Sequence, residues 1–324
     1  MTRRRNAVSV PLIASSVLAL FAFSVPLPGA WASEIAPELV LYGYAADATF
    51  KVPRAVALDA ARGEILVGNT GAHTIEVFSL SGRPLARYAH RVERRDGTWV
   101  DGDPMGLAVD SAGRILVVDA AAAYVDVLDG LGRAYARLEP PALPGDGGPG
   151  AVTVLRSGEI LVGMSGETGR IHRFTREYAL DGSWGEAGRT PGQLRNIRGL
   201  AEERDGSILV LCPDTELAVQ RFSATGAYLG GFGRHEMGPG NFSFPSGITL
   251  GTDGSLYVTD ELRHLVIVLD GTGRQIDAIQ GGDKGLGLFQ YPSALASDGQ
   301  GRLAVVERGS ARLQLLRLAG KSPE

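Results

Sequence analysis

PMGLAVDSAGRILVVD, residues Pro104–Asp119, is the stretch that decides the architecture. It opens on a proline, sets a small residue (Gly106) beside an aliphatic one (Leu107), turns at Gly113 and runs into the β-favouring Ile115–Val118. The phrase returns along the chain with anchors at Pro53, Pro104, Pro149, Ile197, Pro245 and Pro292, spaced 51, 45, 48, 48 and 47 residues apart. A fixed period of that size is the mark of a repeat array.

Each repeat contains more than the anchor phrase. Nine or ten residues after each anchor stands Gly63, Gly113, Gly158, Gly206, Gly254 or Gly301, followed by an apolar run such as EILVGN or SLYVTD. A third run begins at Ile75, Val125, Ile171, Val219, Val266 and Leu313, and five repeats add a weaker fourth from Pro84, Ala134, Tyr178, Ala227 and Arg274. Four short strands per unit, six units and no helical stretch between them predict an all-β fold, a six-bladed β-propeller of four-stranded antiparallel blades. The last repeat stops after its third strand at about Leu318, and the strand-like Leu39–Tyr44 precedes the first anchor. An N-terminal strand completing the last blade would close the ring and remove its open seam.

The innermost strands supply a packing test. Two residues past the anchors stand Ala55, Gly106, Ala151, Gly199, Gly247 and Ala294, and the next position holds Val56, Leu107, Val152, Leu200, Ile248 and Leu295. Strand side chains alternate between faces, so one face of each inner strand is small and the other large. Blades crowd most at the axis, where a large face can fill the space beside a neighbour's small one.

Composition sets the outer bounds. The chain has 324 residues, is 44% hydrophobic and 21% charged, and carries 45 glycines without a Gly-X-Y period, which excludes a disordered chain and a collagen-like rod. Residues 1–32 read as an export signal, with Arg3–Arg5 as basic region, apolar Val8–Val25 and an A-x-A site at Ala30–Ala32. Residues 33–324 would then be a single propeller domain, periplasmic or extracellular, with no membrane association beyond the signal. Losing those three arginines takes the formal charge from −4 to −7, which leaves no basic balance for nucleic acid. Cys212 is alone, so no intramolecular disulfide can form and neither haem attachment nor a zinc ribbon is encoded.

The phrases Pro104-MGLAVD, Ala112-GRILVVD, Asp253-GSLYVTD and His264-LVIVLD, with the inter-blade Phe232-GRHEMGPGNFSFP, resemble the NHL-repeat family of β-propellers over about residues 38–318. That resemblance implies an interaction module rather than a particular reaction. Repeats three and four depart from it, with Leu155 and Glu203 in place of Asp59, Asp110 and Asp298, and Met164 and Cys212 in place of Asp119, Asp260 and Glu307. Recurrent aspartates at strand ends are expected to cap turns through backbone N–H groups rather than to hold metal.

Function must be argued from a site, since the fold hosts many chemistries. The residues just past the anchors are expected at the mouth of the central channel: Arg54, Met105, Gly150, Arg198, Ser246 and Ser293. Arg54 and Arg198 belong to opposed blades, and with Ser246 and Ser293 they would suit a small anionic ligand, unless each guanidinium folds outward onto an acid such as Asp47 or Glu202. The long connection before Pro104 carries Arg91, Arg94, Arg95 and Trp99, a candidate surface for a protein or peptide partner. Phe50, Phe242 and Phe289, each three residues before an anchor, read as plugs between blades.

The five histidines do not assemble a zinc site by position, and no cofactor, catalytic residue or metal ligand is assigned. The reading favours an exported, non-enzymatic binding or scaffold propeller. The alternative is a hydrolase or lyase, lactonase-like or peptidylglycine-lyase-like, with its site on the same loop face.

Overall fold

The computed structural model describes residues 36–236, 238–279 and 289–318, so the expected export signal at 1–32 lies outside the described residues. The described chain forms six four-stranded antiparallel sheets, the expected blades. Blades 1 to 5 begin at Pro53, Pro104, Asp146, Gly199 and Pro245, and each runs outward in sequence order from the axis. Blade 6 takes three strands from Pro292–Ser297, Arg302–Glu307 and Arg312–Arg317, and its fourth from Ala36–Leu41. Ring closure therefore follows the expected scheme, a few residues upstream of the predicted strand. Glu38 seals it by pairing with Arg302 at 2.8 Å and with Arg317.

The turns explain the glycine count. All six glycines between first and second strands have positive φ, from 65° at Gly63 to 94° at Gly301, where a side chain would clash with the following carbonyl. Beside them the recurrent aspartates do what capping predicts. Asp59 Oδ1 accepts from the Ala61 and Arg62 N–H groups, Asp110 Oδ1 from Ala112 and Arg114, and Asp298 Oδ1 from Gln300 and Arg302.

Six apolar cores lie one to a seam between neighbouring blades. Strand alternation builds them: Ile65 and Val67 face the core shared with blade 6, and Leu66 between them faces the core shared with blade 2. Both faces of a second strand are thus buried, which is why EILVGN and its relatives read as continuous apolar runs. Phe50, Phe242 and Phe289 plug three seams at no more than 3% exposure, and Leu194 takes the equivalent place between blades 3 and 4.

At the axis the small-against-large scheme holds in atomic detail. A Cβ built on Gly199 would stand 2.8 Å from Cγ2 of Ile248, and one on Gly247 would stand 2.8 Å from Cδ2 of Leu295. Each glycine receives the large side chain of the next blade. Gly247→Val should cost about 1–3 kcal/mol by overpacking, and Leu295→Ala about 2–5 kcal/mol by cavity formation. The double variant should be more stable than the sum of the two losses allows, by about 0.5–3 kcal/mol in denaturant titrations. Strict additivity would show that the two residues do not share this contact.

Candidate functional site

The first strands surround a channel cavity of about 320 Å³. Its wall includes every residue the repeat register places just past an anchor: Arg54, Met105, Gly150, Arg198, Ser246 and Ser293. Below them the wall is Gly, Ala, Val, Leu, Ile and Thr, ending near Ser297, with no carboxylate among the described residues. The first strands of blades 1, 2, 5 and 6 begin on the anchor proline, so this residue is their second, whereas blade 4 starts at Gly199 and leaves Arg198 exposed just ahead of it.

Among the described residues neither arginine folds onto an acid. Arg54 is part-buried, and Nη1 approaches only the Met105 sulfur, at 4.0 Å. Glu202, one of the acids within sequence reach, is engaged instead by Arg156 at 3.2 Å. Most other arginines of the described chain are paired, as Arg114 is with Asp110 and Arg221 with Glu203. A guanidinium left without an acid keeps its donors free for an anionic ligand. The serines differ. Ser246 Oγ donates to the Pro292 carbonyl at 3.0 Å and Ser293 Oγ to the Pro53 carbonyl at 2.9 Å, tying each blade to the anchor of the next. Thr70 Oγ1 does the same to Pro104 at 2.7 Å. With their protons held by the ring, the serines offer a ligand only lone pairs, and the arginines are the donors at this mouth.

The connection before Pro104 is a β-hairpin, with Arg91–Glu93 paired to Trp99–Asp101. Val92 is fully buried against Ala122 and Tyr124 and pins the hairpin to blade 2. Trp99 remains 52% exposed, with the Arg137 guanidinium 5.7 Å from its ring. Arg91 lies 3.6 Å from Asp101 with both side chains largely exposed, a geometry that contributes little to stability. Arg94 and Arg95 line a shallow surface hollow with Ala120–Ala123 and Gly147.

Four of the five histidines are drawn into contacts with neighbouring strands and loops, and His235 is exposed. His73 Nδ1 lies 2.9 Å from the Gly102 carbonyl and 3.2 Å from Asp103, and His264 Nδ1 accepts from the Tyr291 N–H at 3.1 Å. His172 is buried against Ser183, and desolvation lowers its pKa. His90 is buried with Nε2 3.3 Å from Asp119 and 4.0 Å from Asp126. Among the described residues no group of three His, Cys, Asp or Glu side chains could hold a metal ion. Cys212 is fully buried, and desolvation pushes its thiol up to about 12, far from nucleophilic use at neutral pH.

One row of residues went unread in the sequence. Glu76, Asp126, His172, Gln220 and Gln314 occupy the same position of the third strand in five blades, all buried, while blade 5 has Ile267 there. The signal was present as the polar letter after the first aliphatic in I-E-V-F, V-D-V-L, I-H-R-F, V-Q-R-F and L-Q-L-L. Much of this row holds the loop face. Gln220 accepts from Gly192 N–H and donates to the Gln193 carbonyl. Gln314 donates to Glu307, which accepts from Gln290 N–H, and Asn69 donates to Glu76 while accepting from Lys51 N–H.

Known structures share this architecture. A virginiamycin B lyase from Staphylococcus aureus aligns at 15% identity and TM-score 0.57, covering 88% of this chain and 100% of that one. A gluconolactonase from Xanthomonas campestris aligns at 16% identity and TM-score 0.60 over 83% of this chain and 86% of its own. The PQQ-bound aldose sugar dehydrogenase from Streptomyces coelicolor aligns at 15% identity and TM-score 0.60 over 87% and 97%. At such identities the likeness shows the fold alone. No family model and no curated protein matches the chain.

Two outcomes follow from the buried groups. Cys212 should not react with a thiol reagent such as DTNB until the protein unfolds, and reaction of the native protein at the rate of a free thiol would contradict its burial. Burial pushes the Asp126 carboxyl up, against the opposing pull of His90 and Arg137. The folded state therefore holds that proton more tightly than the unfolded one, and the stability this lends is complete below the ordinary carboxylate range and lost as pH rises through the folded value. Asp126→Asn should accordingly lower the melting temperature at pH 4 relative to that at pH 7 compared with the unsubstituted protein, and an unchanged pH dependence would contradict the raised carboxyl.

Proposed function

We propose that this protein is an exported binding propeller of the NHL type, without catalysis of its own, whose channel mouth takes a small anion between Arg54 and Arg198. The observation that carries the proposal is the pair of guanidiniums lining one cavity with no carboxylate among the described residues of its wall. Charged donors converging on a shared opening are the usual means of holding a carboxylate or phosphate. The loop face around the mouth, with Arg91, Arg94, Arg95 and Trp99 on its hairpin, is the surface such a protein would present to a protein or peptide partner.

The rival reading is a hydrolase or lyase working from the same face. Its two most reactive candidates are weakened by their surroundings, since Cys212 is sealed in the core between blades 3 and 4 and His90 is closed in beside Asp119. Calorimetric titration with acetate and inorganic phosphate should give saturable binding that weakens with salt. Arg54→Ala and Arg198→Ala should each weaken it about tenfold or more, as expected for loss of a charged hydrogen bond worth about 1.5–3 kcal/mol. Unaltered affinity in the double variant would overturn the assignment.

A further inference from the structure

The mouth of the channel is chemically lopsided, and the asymmetry specifies more than an anion. The residues immediately before the six anchors are Val52, Asp103, Gly148, Asn196, Phe244 and Tyr291. The large apolar ones fall in three adjacent blades, 5, 6 and 1, and all are exposed: Phe244 at 38%, Tyr291 at 39% and Val52 at 42%. Leu262, at the turn of blade 5 beside Phe244, is 58% exposed and extends the patch. The other half of the rim, from blades 2 to 4, is Asp103, Gly148 and Asn196. Each rim residue lies two positions from a channel residue, a reach of about 7 Å along the chain, so Val52 borders Arg54 and the Phe244–Tyr291 arc borders Ser246 and Ser293.

The apolar arc is held in place but lies outside the six seam cores. The Phe244 carbonyl accepts from Glu261 N–H at 3.0 Å, and the Tyr291 carbonyl from Arg308 N–H at 3.1 Å. The Tyr291 ring stands edge-on to His264 at 4.5 Å. Val52 and Tyr291 also have φ of 51° and 53°, a left-handed backbone that a β-branched or bulky residue resists. Asn196 shares that backbone at 49°, as asparagine readily does. A bulky side chain kept both strained and exposed serves no core, and strain of this kind gathers where a ligand is clamped.

We infer that the ligand of this mouth is an amphipathic carboxylate, its head between Arg54 and Arg198 and its apolar or aryl body lying across Val52, Phe244 and Tyr291. The inference rests on the anion reading above and adds the second half of the molecule. Charge complementarity selects the head, and the one-sided apolar rim, contiguous with the channel wall, selects the body. A small inorganic anion would leave the arc unused, and a neutral lipid would leave both guanidiniums unmet.

Titrating acetate, hexanoate, 4-phenylbutyrate and neutral hexanamide into the full chain tests this directly. Affinity should rise at least tenfold from acetate to hexanoate and 4-phenylbutyrate, and hexanamide should not bind. Phe244→Ala should erase the gain while leaving acetate binding intact, whereas Arg54→Ala should weaken the whole acid series. Val52→Gly, which relaxes the left-handed backbone, should leave the melting temperature unchanged or higher and still weaken hexanoate, so that a loss of binding cannot be assigned to misfolding. Equal affinity for acetate and hexanoate would overturn the amphipathic inference while sparing the anion site. Failure of every acid to bind would overturn both.

Discussion

Everything in this ring depends on how closely six inner strands can approach the axis. A glycine or alanine at one position admits the leucine or isoleucine of the next blade, as Gly199 admits Ile248 and Gly247 admits Leu295. The contact is directional, small side to large side, so each blade has one way to sit against its neighbour. Repeated around the ring, it fixes the channel's width and the position of the first residue past every anchor. The closing strand Ala36–Leu41 completes the last blade with backbone hydrogen bonds and leaves no seam without a partner.

The loop face inherits its rigidity from polar groups buried deeper in the blades. Glutamine, glutamate and asparagine side chains at the second and third strands reach up to the backbone of the incoming connections, as Gln220 does to Gly192 and Gln193. Buried polar groups are costly unless satisfied; the incoming connection satisfies both ends of the Gln220 amide, whereas Glu76 Oε2 and Gln314 Oε1 are buried without a hydrogen-bond partner among the described residues. Hydroxyls of Thr70, Ser246 and Ser293 add links between consecutive blades at the mouth itself. Side chains at the rim are therefore carried on a fixed frame.

Much of this was legible in the sequence because it repeats. The anchor period gave the blade number, the glycines gave the turns, Leu39–Tyr44 pointed to the closure, and the three phenylalanines before anchors announced the seam plugs. Leu194 was missed as a fourth plug because it precedes Ile197, the one anchor that is not proline. The hairpin Arg91–Asp101 was read as a loop, since Arg-Arg-Asp-Gly hides a turn between strands only three residues long. Polar residues of the third strands escaped because each differs in type, and only their shared register marks them as a set.

By itself the sequence determined the architecture and the address of the mouth residues, because side-chain alternation and turn chemistry are local and recur with the period. Tertiary structure alone decided which of those residues stay available. Ser246 and Ser293 share a register with Arg54 and Arg198, yet the serine protons are taken by the neighbouring blade while the guanidiniums meet no acid among the described residues. That outcome depends on distances between groups some fifty residues or more apart in sequence, set by how the blades pack, and no local rule encodes it. The lopsided rim has the same origin: Phe244, Tyr291 and Val52 are scattered along the chain and become one surface only when the ring closes.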